Sequence, residues 1–246
     1  MKRATAVVVG VGAYDGLGAT LCRLIASKGM HVLLAGRTEA KLRLVADEIV
    51  KNGGSAQYFV ADATDEKQVI ELFALAKEGG ENHLAPSLVI FNASKFARTP
   101  FRQISAAQFE EFWRAGCFAG FLVGREAAKI LSVNGGGTVI FSGASASLRG
   151  KEEYAHFASA KAGLRMIAQS MAREFGSLGI HVAHVVLDGG IKRQIESPDS
   201  RVNVRNRTND DAMQFDAVAQ IYWQIHQQPR AAWTQELDLR SSHEKF

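Results

Sequence analysis

Apolar residues follow two alternating rhythms along this chain. Runs such as Ala6-Val7-Val8-Val9 and Val32-Leu33-Leu34-Ala35 are continuous, whereas the stretches between them space apolar residues three and four apart. A short continuous run bounded by turn residues predicts a strand covered on both faces, and the 3.6-residue period predicts a helix with one apolar side. Strands are predicted at Thr5–Gly10, His31–Ala35, Ala56–Ala61, Ser87–Phe91, Gly137–Ser142 and His181–Leu187, with Glu236–Leu239 a candidate seventh. Helices are predicted near 16–28, 38–52, 65–79, 105–133, 153–177 and 211–227. In the first, Leu17, Leu21, Leu24, Ile25 and Lys28 mark the helical period. Strand and helix in alternation are the signature of βαβ units around a parallel sheet. The expected class is therefore α/β, a doubly wound parallel sheet of six to seven strands with helices on both faces. Only Ile191 to Asp211, with Arg193, Ser197, Pro198, Asn203, Arg205, Arg207 and Asn209, has no usable period. A structureless segment of that length in a compact domain suggests a lid or binding loop, so a substrate loop is expected at about 192–211. No repeat or linker splits the chain, and residues 1–246 are read as one domain.

Composition narrows the picture. With 47% hydrophobic and 22% charged residues, the chain can bury a sizeable core. A net charge of +4 with no basic stripe among aromatics argues against a nucleic-acid partner. No apolar stretch reaches the ~20 residues of a membrane span. The lysine and arginine at residues 2 and 3 precede an apolar run that ends at Val11, too short for a signal peptide. The expected location is the cytoplasm. Cys22 and Cys117 lack metal-ligand spacing and sit in apolar helical stretches, so they are read as small buried hydrophobes and no metal is expected.

The first strand runs into Gly10-Val11-Gly12-Ala13-Tyr14-Asp15-Gly16-Leu17-Gly18. Gly12, Gly16 and Gly18 stand between a strand and an amphipathic helix, where glycine lets backbone approach a pyrophosphate and the helix start offers it free N–H groups. This order of elements makes the domain a dinucleotide-binding Rossmann fold. The second strand ends in Gly36-Arg37. An acidic residue there would accept from a ribose 2′-hydroxyl, whereas Arg37 can pair with a 2′-phosphate, which favours NADP(H) over NAD(H). Asp62 and Ala63 follow the third strand, where Asp62 can accept from the adenine amine; Asn92 and Ala93 follow the fourth.

These motifs, in this order, resemble the short-chain dehydrogenase/reductase family. The matching segments are the glycine turn, Asp62, Phe91-Asn92-Ala93-Ser94, Phe157-Ala158-Ser159-Ala160-Lys161 and Asp188-Gly189. The resemblance implies cofactor contacts at Gly12, Tyr14, Asp15, Gly16, Leu17, Gly18, Arg37, Asp62, Ala63, Asn92, Ala93, Lys161, Asp188, Gly189 and Ile191. It also implies a small-molecule substrate and a Ser–Tyr–Lys site in which tyrosine moves the proton, lysine holds the nicotinamide ribose and serine polarises the substrate oxygen. Here Lys161 matches, but Phe157 occupies the tyrosine position and Ala144 the serine position. The family's asparagine on the preceding helix is replaced in the region of Gly116 and Cys117. Ser142 and Ser145 flank Ala144, and Tyr154 lies three residues before Phe157. His156 is expected to be solvated, and Lys95 and Arg98 are read as surface charges or as groups facing the cleft. Three functions remain open: an oxidoreductase with a reorganised site, a catalytically silent dinucleotide-binding sensor or subunit partner, and a non-redox enzyme that keeps a bound cofactor. Homodimers or homotetramers are expected through helices 105–133 and 153–177, where Phe109, Phe112, Trp113, Phe118 and Phe121 offer more aromatic surface than one domain needs to bury.

Overall fold

The computed structural model describes residues 2–189, 213–242 and 244. The expected substrate loop at 192–211 and the cofactor contact Ile191 lie outside the described residues.

Seven strands form one parallel sheet: β1 Arg3–Val9, β2 His31–Gly36, β3 Ser55–Val60, β4 His83–Phe91, β5 Gly137–Ser142, β6 Ile180–Asp188 and β7 Glu236–Arg240. Their order across the sheet is β3-β2-β1-β4-β5-β6-β7. The central strands are buried along their continuous apolar runs, and the first half of β4 is only partly covered. The edge strands β3 and β7 are only partly covered and carry polar residues. The helices are α1 Leu17–Ser27, α2 Glu39–Lys51, α3 Glu66–Glu78, α4 Ala106–Trp113, α5 Ala119–Val133, α6 Ala155–Phe175 and α7 Phe215–His226.

Two cores, one on each face of the sheet, follow from the alternation of strand side chains. On one face Leu21 and Ile25 of α1, Leu42 and Val45 of α2 and Val218 and Tyr222 of α7 pack on Ala6, Val8, Ile140 and Val185. On the other, Leu72 of α3, Leu122 and Val123 of α5 and Leu164 and Ala168 of α6 pack on Val7, Val89, Phe141 and Val182. Cys22 and Cys117 are both buried and free, as small hydrophobes would be.

The single helix predicted over 105–133 is interrupted. α4 and α5 are joined by a π-helical turn, Arg114–Phe118, which holds Gly116 and Cys117. Periodicity alone does not register a π-turn, since it adds one residue without breaking the apolar face. Here α6 presses close: a Cβ on Gly163 would stand 2.5 Å from Cys117 Sγ. Of the five aromatics on this helix pair, Phe112 is buried within the chain against His156, while Phe109, Trp113 and Phe121 are exposed.

Candidate active site

β1 and β4 are neighbours in the sheet, yet the connections that leave them run to opposite faces. A crevice opens between their carboxyl ends, the usual ligand position in such a sheet. The glycine turn lies there. α1 starts on Gly16, which has no side chain to cap the helix, and no acidic residue stands in the first turn. The leading N–H groups are thus left for an anion. A Cβ on Gly12 would meet nothing within 4 Å, whereas one on Gly18 would lie 2.8 Å from the Gly10 carbonyl oxygen. Gly12 borders open space, and Gly18 lets the helix start lie against the strand. Asn92 Nδ2 donates to the Gly10 carbonyl at 3.2 Å and ties the turn to β4. The Tyr14 ring lies 4.1 Å from the Arg23 guanidinium, which also donates to the Tyr14 carbonyl and pairs with Glu48 of α2 at 2.7 Å. Asp15 is engaged within the fold, and Leu17 is buried at the base of α1. This is a preformed cradle suited to a diphosphate.

At the end of β2, a Cβ on Gly36 would stand 2.4 Å from the Val11 carbonyl oxygen, so no acidic side chain fits there. Arg37 is exposed. Asp62 accepts from the backbone N–H and hydroxyl of Thr64 at 2.9 and 2.8 Å. Burial works to raise its pKa, but Thr64 together with the charges of Arg37 and Lys95 holds the carboxyl below its usual range. Ala63 and Ala93 pack on the core beside it.

The other end of the crevice is built by β5, the loop after it and α6. Lys161 is buried, and its Nζ donates to the Ser142 carbonyl at 2.8 Å. Burial pushes its ammonium down to about 8. Phe157, one turn earlier on the helix, presents its ring 6.0 Å from Nζ. Phe96 packs edge-on against that ring at 5.3 Å, and Tyr154 lies 5.6 Å from Phe96 and 6.2 Å from Phe157. Three aromatic rings, Phe96, Tyr154 and Phe157, therefore cluster at the start of α6 beside Lys161. Tyr154 caps the start of α6, with the Arg98 guanidinium 5.7 Å from its ring. Arg98 also pairs with Glu153, which has a positive φ of 67° and accepts from the Thr99 N–H. Beside these loops a groove of about 480 Å³ is lined by Phe101, Arg102, Lys151 and Glu152.

Both candidate serines have polar neighbours within the fold. Ser142 Oγ is buried and bonded to the Tyr222 hydroxyl at 2.9 Å, because its side chain points to the α7 face of the sheet. Ser145 stands beside the Asp188 carboxylate, which receives Arg149 at 2.8 Å. Burial works to raise the Asp188 pKa, but Ser145, Arg149 and Arg240 hold it low. Gly189, with φ of 144°, follows. His156 departs from the expectation of a solvated ring: it is fully buried against Phe112. Lys95 pairs with Glu111 rather than standing free.

Sequence reasoning missed the polar network under α6. Arg165 grips Glu236 of β7 with bonds of 2.6 and 2.7 Å, and Glu236 meets His184 of β6 at 3.0 Å. The available signal was His184 itself, a polar residue inside an apolar strand. Among the described residues, no group of three or more His, Cys, Asp or Glu could hold a metal ion, and no helix is long and apolar enough to cross a membrane.

Comparison with known proteins adds four findings. A family model described as short chain dehydrogenase matches residues 5–200. The crystal structure of a short-chain dehydrogenase from Rhodopseudomonas palustris is 35% identical, with a TM-score of 0.83 over 98% of this chain and 99% of that one. A metagenomic short-chain oxidoreductase in complex with NADP is 22% identical and shares the fold, with a TM-score of 0.79 over 98% and 99% of the two chains. Among curated proteins, elsinochrome reductase 1 of Elsinoe fawcettii is 28% identical over 218 residues, 87% of this chain and 78% of that protein.

Proposed function

The chain belongs to the short-chain dehydrogenase family of oxidoreductases, and from that premise we propose that it binds NADP(H) in a site stripped of the usual proton donors. The observation that carries this reading is the pairing of Lys161 with Phe157. The lysine sits against Ser142 as a cofactor-holding group would, while a ring without a hydroxyl fills the place of the acid.

A bound nicotinamide supplies a hydride, and the chain's own residues must do the rest. The turn from Gly12 to Gly18 would hold the diphosphate, Asp62 and Asn92 would flank the adenosine and nicotinamide halves, and Lys161 would hold the ribose. Asp188 and Gly189 would close the far side. For the 2′-phosphate, Arg37 is the available cation, and the closed space at Gly36 keeps an opposing carboxylate away. The solved relative that carries NADP supports this choice. Titration of the purified protein should show NADPH binding several-fold tighter than NADH; equal affinities would sink the preference.

Proton delivery is the weak half. Ser142 is bonded elsewhere, and among the described residues the Tyr154 hydroxyl and the Lys161 ammonium are the donors this reading takes from beside the aromatic wall of Phe96 and Phe157. That wall suits an apolar, flat substrate. The same apolar surroundings favour the second reading, a silent dinucleotide-binding subunit. Replacing Tyr154 by Phe separates the two: lost turnover with intact cofactor binding supports a working enzyme. The exposed face of Phe109, Trp113 and Phe121 supports self-association, and a monomer in analytical ultracentrifugation at micromolar concentration would refute it.

A further inference from the structure

Beneath α6 lies a polar group that cofactor binding does not use. His184 shares its side of the sheet with Ile180 and Val182, whose side chains pack against α6. It is fully buried. Its Nδ1 faces a carboxylate oxygen of Glu236 at 3.0 Å. A carboxylate only accepts, so Nδ1 carries the imidazole proton and Nε2 is left as a lone pair. Arg165 holds the Glu236 carboxyl below its usual range against the opposing effect of burial, and the carboxylate stays charged. Burial pushes the His184 pKa down, outweighing Glu236, and the ring stays neutral.

The far nitrogen is the anomaly: Nε2 is buried and has no hydrogen-bond partner. A buried acceptor left empty is costly and rare. A Cβ on Gly143 would lie 2.3 Å from Nε2, so the ring rests against the backbone of residue 143 and tolerates no side chain there. The preceding carbonyl, that of Ser142, is the one that accepts from Lys161. Lys161 and Arg165 stand one turn apart on the same side of α6, and the Lys161 charge bears on His184. An ammonium has three N–H donors, and the Ser142 carbonyl takes one. The charged groups facing the imidazole are Lys161 and Arg165 from α6 and Glu236 from β7; β5 contributes only backbone.

We propose that His184 is a positioning residue for Lys161: its Nε2, which has no partner in this structure, becomes a second acceptor for the ammonium when Nζ leans towards it from the Ser142 carbonyl. Glu236 and Arg165 fix the ring in the tautomer that leaves Nε2 bare. The proposal rests on the reading of Lys161 as the cofactor-site lysine, but its chemistry is measurable without a cofactor. An acceptor at Nε2 stabilises the ammonium and offsets part of the cost of its burial. Removing it should let Lys161 lose its proton at lower pH.

The test is a pH titration of the Lys161 side chain by NMR in the full-length, lysine-labelled protein, assigned with Lys161→Arg. His184→Phe keeps a ring of similar size and removes both nitrogens, whereas His184→Gln keeps an acceptor. The Lys161 midpoint should fall by at least half a pH unit in His184→Phe and recover at least half of that shift in His184→Gln. An unchanged midpoint in folded His184→Phe overturns the proposal, as do equal shifts in both variants, which mean lost packing alone. Should His184→Phe fail to fold, the imidazole nitrogen shifts of the wild type decide: a proton on Nε2, or an Nε2 shift typical of a free lone pair, overturns it. If the midpoints move as expected while NADPH does not bind, this inference stands and the cofactor reading falls.

Discussion

The two ends of the crevice are built on different principles. At the β1–α1 end, the features that suit a cofactor are backbone N–H groups, a helix start and glycines spaced to admit a diphosphate. At the β5–α6 end, the proposed chemistry would depend on individual side chains, and Phe157 and Ala144 bring no hydroxyl there. A site made of backbone survives sequence change as long as the glycines remain. A site made of side chains is lost with one substitution at each place. The same fold can therefore keep its cofactor cradle while giving up its chemistry.

The largest expected effect tests that contrast directly. Wild type should reduce simple carbonyls with NADPH at near-background rates. Phe157→Tyr combined with Ala144→Ser should raise the rate at least ~10²-fold, since a positioned acid contributes ~10²–10⁴ and an oxyanion donor roughly 10²–10³ without strict additivity. Ordinary turnover by wild type would break the comparison.

Gly36→Asp probes the other end. The usual acidic position cannot be restored by simple exchange, because the new Cβ would meet the Val11 carbonyl at 2.4 Å. Overpacking of this kind costs about 1–3 kcal/mol. Loss of stability in urea, rather than a switch to NADH, is the expected result; a stable, NADH-preferring variant would show that the strand end yields.

Acid should weaken the fold as a whole. Burial pushes His31 down to about 4 and also lowers His156, His181, His184 and His226. A histidine with a depressed folded pKa binds fewer protons folded than unfolded, so its stability is present above about 6.5 and is lost as pH falls. For His31 the window runs from 6.5 down to about 4, and its share is on the order of 1–2 kcal/mol after allowance for partial solvation. Urea midpoints measured from pH 7 to 4.5 should fall, and less steeply in His31→Asn; a flat profile would contradict the burial of these rings. The smallest effect is Arg37→Ala, which should erase a several-fold NADPH preference, about 1 kcal/mol, and leave NADH binding unchanged.

What the sequence disclosed follows the same division. Continuous apolar runs placed the strands, and the glycines placed the turn between β1 and α1, because both depend on local pattern. The π-turn at Arg114–Phe118 was hidden because it preserves the apolar face of the helix around it. The polar neighbours of Ser142 and Ser145 were hidden too. Tyr222 lies 80 residues from Ser142 and Asp188 sits on another strand, so no local spacing points to them. His156 was expected to be solvated, yet the helix turns it onto Phe112, a partner 44 residues away that no local spacing points to.

Glu236 carries a consequence in time as well as in space. It lies 52 residues after His184 and 71 after Arg165. At ribosomal speeds of ~5–20 residues per second, the imidazole waits about 3 to 10 seconds for its carboxylate. Until β7 is made and docks at the sheet edge, the helix bearing Lys161 carries an unneutralised guanidinium and faces an unanchored ring. The polar network under α6 is thus completed only after the rest of the described sheet has been made.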